Sequence, residues 1–540
     1  MKFIEDASDE KLRGGFYTPE AIARFILKWA VNGNKNYDIL EPSCGDGVFL
    51  EQIKKNKFEY KAITAIELDP AEAKKSEKIG LKNSKILNRD FFSYCNSTNN
   101  KFDLVIGNPP YIRYQYFDKK QRIEAEGIFK KANLKYSKLT NAWVSFVVGS
   151  SLLLKEKGKM AFVLPAEILQ VSYAKPLREF LSHFYNKISL VSFKKLVFPK
   201  IQQEVVLLLC EKVPGSKDHL IEHIEVKDAK DLEKLDISAL KAPKKKIDFQ
   251  NNKWTFYFLS QKEIDFLEKM LHSSKLKPLG HFAKVEVGIT TGSNEFFTVP
   301  EEIVKNYALE KYARPLVGRS VQVSGNKFNK EDWKDNVKRG ARAFFLIFPN
   351  KKDLISNKKA LEYLNFGEQK GINKWYKCSI RDEWQMVPSA RISEALFIRR
   401  NNLFPKLIIN TAKAYTTDTM HRVSVIDKDK TDMDSLIASY YNSLSFALAE
   451  LFGRSHGGGV LELMPSEAEN ILIPYSPKNG KMLNKIDSML RNKEDTGKIL
   501  DFTDNKILKE NFGLSDKEVA LARGIWKKLM GRRRNRTRSI

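Results

Sequence analysis

Up to about residue 210 the chain alternates between two hydrophobic periods. Short runs rich in β-branched and aliphatic residues fall at 37–41, 62–67, 85–87, 102–107, 159–164 and 188–193, and each reads as a strand. Between them apolar residues recur every three or four positions over 19–30, 48–54, 70–79 and 140–154, the spacing of helices with one buried face. A further run at 204–210, Glu-Val-Val-Leu-Leu-Leu-Cys, is apolar on both faces, as a central strand is. Strands and helices in alternation predict an α/β fold around a largely parallel sheet.

The rhythm stops after Val213. Pro214-Gly215-Ser216 signals a turn, and a charged stretch follows to Pro243-Lys244-Lys245-Lys246. The boundary placed there gives domains at 1–245 and 246–540. The second carries β-like runs at 284–288, 407–410 and 422–426 and a helix at 434–452, an α+β pattern without internal repeats. Ser515-Asp516-Lys517-Glu518 is a capping box that opens a last helix. The tail Gly531-Arg532-Arg533-Arg534-Asn535-Arg536-Thr537-Arg538 is expected to be disordered until it meets phosphates.

Composition narrows the class. A chain of 540 residues exceeds one ordinary core, and 42% hydrophobic with 11% aromatic residues is a globular content. The net charge of +27 points to a polyanionic partner, most simply nucleic acid. The four cysteines form no CxxC pair and the seven histidines no ligand-spaced cluster, so neither a metal site nor a disulfide framework is expected, and the reducing cytoplasm is the expected location. The first fifteen residues are mixed in charge, without an apolar signal segment, and no apolar run reaches membrane-spanning length; 144–154 comes closest.

Four loops at strand ends carry the candidate chemistry. Glu41-Pro42-Ser43-Cys44-Gly45-Asp46-Gly47 joins a strand to a helix with residues small enough for a tight turn against a ligand. Glu67, with Leu68 beside it, ends the next strand where nucleotide-binding α/β folds place a ribose-binding carboxylate; a helix-cap role is the plain alternative, which Asp69 would fill equally well. Asp90-Phe91 follows the third strand and offers a carboxylate and a ring to an adenine. The strand 102–107 then runs into Asn108-Pro109-Pro110-Tyr111. Proline cannot donate to a ladder, so the strand stops there, and the turn leaves carbonyls free to accept. With an amide before and a ring after, it can hold a planar amine.

In their order, Phe16-Tyr17-Thr18-Pro19, Glu41 to Gly47, Glu67, Asp90-Phe91 and Asn108 to Tyr111 resemble the gamma-class DNA adenine-N6 methyltransferases, the TaqI-methylase type of restriction–modification systems. The likeness continues more loosely through Val287-Gly288-Ile289-Thr290-Thr291-Gly292-Ser293-Asn294-Glu295 and Gly457-Gly458-Gly459-Val460-Leu461-Glu462-Leu463-Met464-Pro465, which look like recognition-domain signatures. The resemblance implies a Rossmann-like S-adenosylmethionine-dependent methyltransferase domain followed by an α+β target-recognition domain. It implies that Tyr17 and Thr18 close over the methionine end of S-adenosylmethionine, Glu41, Ser43, Gly45 and Gly47 line it, Glu67 and Leu68 hold the ribose side, and Asp90 and Phe91 hold its adenine. It further implies that a target adenine is flipped out of double-stranded DNA, that Asn108 and the Pro109 carbonyl accept its N6 hydrogens, that Pro110 completes the turn, and that Tyr111 and Phe198 stack on the base.

Asn-Pro-Pro-Tyr also serves methyltransferases of rRNA guanine and protein glutamine, and a modification subunit can depend on a separate specificity subunit. The large basic second half favours a self-sufficient DNA enzyme, partnered by a cognate restriction endonuclease that acts on the same site without a stable complex. The fifteen residues ahead of Phe16 leave no room for a fused N-terminal nuclease. Within the second half, Lys244 to Lys246, Arg314, Arg319, Lys413, Arg422, His456 and the arginine tail are the candidate DNA contacts.

Overall fold

The computed structural model describes residues 18–31, 36–113, 116–137, 140–195, 197–198, 204–235, 245–247, 253–388, 390–456 and 458–535. The chain divides into two compact units, Met1–Ile264 with Asn535–Ile540, and Asp265–Arg534.

The first unit is built on a nine-stranded sheet. Its strands are β1 (Asp38–Glu41), β2 (Ala62–Glu67), β3 (Ser84–Asn88), β4 (Phe102–Gly107), β5 (Leu154–Pro165), β6 (Lys187–Phe193), β7 (Val205–Glu211), β8 (Leu220–Val226) and β9 (Lys245–Lys246), in the order β3-β2-β1-β4-β5-β7-β6-β8-β9. β1 to β5 are parallel, whereas β7 is antiparallel to both neighbours, with Leu208 opposite Phe162 and Leu190. The chain travels outward from β1 to β3 and then returns to β4 on the other side of β1. That reversal opens a crevice at the carboxyl ends of β1 and β4, where such sheets bind ligands.

Side chains alternate across the sheet. Leu40, Val105, Phe162 and Leu208 pack with α4 (Phe91–Ser97), α5 (Lys119–Lys131), α6 (Ala142–Leu152) and α7 (Lys175–Phe184). Ile39, Leu104, Ala161 and Leu207 pack on the opposite face with α1 (Glu20–Val31) and α2 (Val48–Lys55), while α3 (Pro70–Lys78) follows β2. The predicted α/β fold is therefore the one observed.

β2 and β4 have the predicted bounds. β5 begins five residues before the predicted strand, and the helix before it stops at Leu152. Lys155 accounts for the polar start of β5: its Nζ bridges Asp38 and Asp103, each at 2.8 Å, tying together the amino ends of three strands. β8 lies inside the charged stretch; its Glu222 is buried and accepts a hydrogen bond from Ser189 Oγ. Lys245 is also buried and donates to the Tyr257 carbonyl at 2.6 Å, which removes it from the candidate DNA contacts; Lys244 lies outside the described residues.

The second unit is α+β. Its main sheet orders Ala283–Val287, Met420–Val425, Ala395–Ile398, Leu407–Asn410 and Lys327–Phe328. Arg422 sits in a strand of this sheet and is only 9% exposed, so it is packed in the fold rather than displayed as the phosphate contact expected of it. The predicted helix at 434–452 is two helices, Met433–Tyr440 and Ser443–Phe452, because Asn442 turns out of the first and caps the second through Ser445 N. The last helix runs Asp516–Asn535, its reciprocal Ser515–Glu518 cap in place. It carries the arginine tail with it, so Gly531 to Asn535 are helical rather than disordered, while 536–540 lie outside the described residues. No helix among the described residues is long and apolar enough to cross a membrane.

Candidate active site

The crevice holds a cavity of about 410 Å³, and the strand-end loops form its wall. After β1 the chain turns through Ser43 to Gly47. Gly47 has φ +92°, and a Cβ there would sit 2.4 Å from Ile79 Cδ1, so only glycine lets α2 pack against α3. Gly45, at φ +54°, has nothing within 4 Å of where its Cβ would be, so the backbone faces open space. The turn is pinned by Cys44 N donating to Ile66 O at 2.9 Å and by Ser76 Oγ donating to Gly45 O at 2.9 Å.

Glu67 joins two of these loops. Its Oε2 accepts from Gly45 N and its Oε1 from Asp69 N, both at 2.8 Å. Asp69, not Glu67, caps the following helix, accepting from Ala71 N and Glu72 N. Asp90 caps α4 through Ser93 N at 2.8 Å and also reaches the wall. Leu68 stands 56% exposed beside Glu67 and presents a bare apolar surface.

The aromatic side of the cavity is larger than the sequence suggested. Phe91 is stacked on Phe146, centroids 4.8 Å apart and planes 17° from parallel, and Phe92 contacts Phe146 and Phe117 edge-on or tilted. Phe146, Phe117 and Ile112 all line the cavity. Sequence reasoning missed them because a phenylalanine in an apolar helix reads as core, and the only available signal was the proximity of Ile112 and Phe117 to the proline turn.

At the end of β4, Asn108 and Pro110 line the same cavity. The Asn108 carbonyl accepts from Ser43 Oγ at 3.3 Å, and its side-chain Oδ1 accepts from the Tyr111 hydroxyl at 2.9 Å. The Tyr111 ring is half-buried and packs against the cores on both faces of the sheet, with Val163 O 3.2 Å from its hydroxyl. The structure thus brings together Thr18, Glu41, Ser43, Gly45, Glu67, Leu68, Asp90, Phe91, Asn108 and Pro110 around one space. Gly47, Pro109 and Tyr111 shape the wall from behind. Phe198 is 9% exposed and belongs to the buried cluster that includes Ile22, Phe25 and Val205. Tyr17 lies outside the described residues.

The wall is acidic. Six carboxylates, from Glu41, Asp46, Glu67, Asp69, Glu72 and Asp90, line it beside Arg89 among the described residues. Burial raises the pKa of Glu41 well above the glutamate range, with the Glu67 and Asp46 charges adding to it. Burial likewise raises Glu67, Asp90 and Asp46. Among the described residues, Glu41 Oε2 is buried without a hydrogen-bond partner. Ionising such an acid among like charges is costly, and a bound cation would lower that cost. S-adenosylmethionine carries groups of the kinds such a wall can hold: a sulfonium and an ammonium to set against carboxylates, ribose hydroxyls that seek acceptors, and a flat adenine ring that suits an apolar surface.

Comparison with known proteins agrees. The sequence profile of the Eco57I restriction-modification methylase family matches residues 22–198, and that of the type II methyltransferase M.Eco57I C-terminal domain matches 251–508. The type II methyltransferase M.AccI of Acinetobacter calcoaceticus is 26% identical over 523 residues, covering 88% of this chain and 93% of that protein. M.HincII, a type II methyltransferase of Haemophilus influenzae, is 28% identical over 239 residues, or 44% of each chain. Among solved structures, a cryo-electron microscopy structure of a DrdV–DNA complex superposes with a TM-score of 0.52 at 13% identity, covering 89% of this chain and 58% of that one, a likeness of fold. The acidic cavity, the strand-end motifs and these matches converge: each half of the chain matches a family model of the Eco57I-type methyltransferases of restriction–modification systems, the family it resembles, and its cofactor is S-adenosylmethionine.

Proposed function

We propose that the protein methylates N6 of adenine at a specific double-stranded DNA sequence, with the flipped base entering beside Asn108, and that it protects host DNA from a cognate endonuclease. The observation that carries this reading is the position of the Asn108-Pro109-Pro110-Tyr111 turn: it ends β4 at the reversal of the sheet, with Asn108 on the wall of the acidic cavity.

Bound in the cavity, S-adenosylmethionine supplies a methyl group already activated on a sulfonium. The chain's part is to present the amine. Asn108 Oδ1, to which the Tyr111 hydroxyl donates, and the Pro109 carbonyl accept the two N6 hydrogens. Two acceptors draw the nitrogen away from conjugation with the ring and expose its lone pair. The Tyr111 hydroxyl fixes which way the Asn108 amide faces. Phe198 stacks on the extrahelical base only if its ring leaves the buried cluster. The second half of the chain, of which the family's C-terminal profile matches 251–508, selects the sequence.

Asn108→Ala is expected to cut methyl transfer at least about a hundredfold while cofactor affinity, read by calorimetry, changes little. A rate near wild type removes Asn108 from the chemistry. Phe198→Ala is read with 2-aminopurine at the target position; an unchanged fluorescence gain leaves Phe198 as core. Expression in a methylation-free host followed by single-molecule sequencing maps the modified bases, and a genome without modified adenines overturns the substrate.

A further inference from the structure

The second unit exposes aromatic side chains in an unusual run. Lys374, Trp375, Tyr376 and Lys377 are exposed in succession, with Trp375 at 41% and Tyr376 at 67%, followed by Ile380 at 61%. Phe366 and Lys370, at the end of the helix Lys358–Gln369, are exposed nearby in sequence. Two of the lysines sit on ring faces: Lys377 Nζ is 5.4 Å from the Tyr376 centroid and Lys370 Nζ 5.7 Å from that of Phe366.

This turn is not a loose loop. Arg381 donates to Thr291 O at 2.8 Å, Thr290 O at 3.3 Å and Trp384 O at 3.1 Å. Cys378 packs so closely on Gly292 that a Cβ there would lie 2.7 Å from its sulfur. The exposed rings are therefore mounted on the Val287-to-Glu295 segment, the stretch that resembles a recognition-domain signature. Two neighbouring acids are engaged elsewhere, Glu368 with Lys351 and Trp384 Nε1 and Glu383 with Gln385, while Glu362 is exposed. Asp382 is exposed.

We propose that this face is a DNA-contacting surface, on which Trp375 and Tyr376 lie against the sugar and base edges of duplex DNA while Lys370, Lys374 and Lys377 neutralise phosphates. It rests on the DNA reading above and adds where the duplex is touched. Charge selects the occupant. Lysine is depleted from the centre of protein–protein interfaces, whereas aromatics interleaved with lysines suit a polyanion, and the chain as a whole carries +27.

The test titrates the full-length protein into a fluorescein-labelled mixed-sequence duplex by anisotropy at several salt concentrations, with cofactor affinity measured on the same samples. Trp375→Ala with Tyr376→Ala should weaken DNA binding about tenfold or more and leave cofactor affinity unchanged. Trp375→Phe with Tyr376→Phe, which keeps the rings, should retain most of the binding. Replacing Lys370, Lys374 and Lys377 by alanine should flatten the salt dependence by up to about three in log–log slope. If the alanine pair binds DNA within about twofold of wild type while wild type binds well, this inference falls and the functional reading stands. If wild type itself binds no duplex at low salt, both fall. A wild-type dimer that the alanine pair converts to monomer assigns the face to a second copy and overturns the DNA contact.

Discussion

Glu41 in the first unit and Glu450 in the second are both buried glutamates, and they are buried for opposite reasons. Glu450 is answered by its own chain. Arg533 of the last helix meets it with Nη2 to Oε1 at 2.5 Å and Nε to Oε2 at 3.0 Å, then donates to the carbonyls of Asn402 and Gly459. Burial pushes the Glu450 pKa up and Arg533 pulls it back. Among the described residues, the charges acting on Glu41 are those of Glu67 and Asp46, and its Oε2 has no hydrogen-bond partner. A paired buried acid is held by its own chain; one without an ion pair, set in a cavity wall among like charges, is where a cationic ligand would gain most.

The largest effect expected on this contrast comes from Arg533→Ala. It strands Glu450 and should cost about 3–5 kcal/mol, seen as a lower urea midpoint for the second unit. Adding Glu450→Leu to Arg533→Leu should recover the part of the loss that comes from the stranded carboxylate, since an apolar pair avoids desolvating charge; failure to recover any would show that Arg533's carbonyl contacts matter more than its ion pair.

Glu41→Gln should do the reverse of Arg533→Ala. It replaces a carboxyl whose ionisation is opposed by burial and like charges, so the cofactor-free protein gains stability at neutral pH while cofactor affinity falls about tenfold or more. The pH dependence has a definite sign. A carboxyl whose pKa is raised by folding contributes stability that is complete below its unfolded value and is lost as pH rises through the folded one. The thermal midpoint of the cofactor-free wild type should therefore drop relative to Glu41→Gln as pH climbs past about 4.5, the ordinary glutamate value, and saturating cofactor should close the gap. Parallel curves would place Glu41 among structural acids.

The smallest effect is expected at Leu68. Being 56% exposed, Leu68→Ala should change stability by less than about 0.5 kcal/mol yet weaken cofactor binding several-fold. Equal affinity would mean that the exposed side chain covers nothing.

Much of this was legible because prolines and capping residues punctuate it. β4 ends where Asn108-Pro109-Pro110 must end it, and Asp69-Pro70 fixes the start of α3. What escaped notice depends on partners far along the chain. The helix Phe91–Ser97 consists of weak helix formers and is held by the Asp90 cap and the rings of Phe146 and Phe117. The break at Tyr441-Asn442 carries neither proline nor glycine. Arg533 looked like one more solvated charge in a basic tail, and only a glutamate eighty-three residues earlier reveals otherwise. Within the site, the motif residues were found, whereas Phe146 was hidden by its resemblance to ordinary core.

The Arg533–Glu450 contact also sets a schedule for biosynthesis. The helix Ser443–Phe452 leaves the ribosome well before the residue that neutralises its buried carboxylate. Until the final helix emerges, Glu450 must stay hydrated, and the apolar side chains around it cannot close fully. A nascent chain can finish its cofactor-binding sheet early, but its second unit matures only once the helix Asp516–Asn535 has been made. A chain that stops short of that helix would then carry a methyl-donor sheet without a completed second unit.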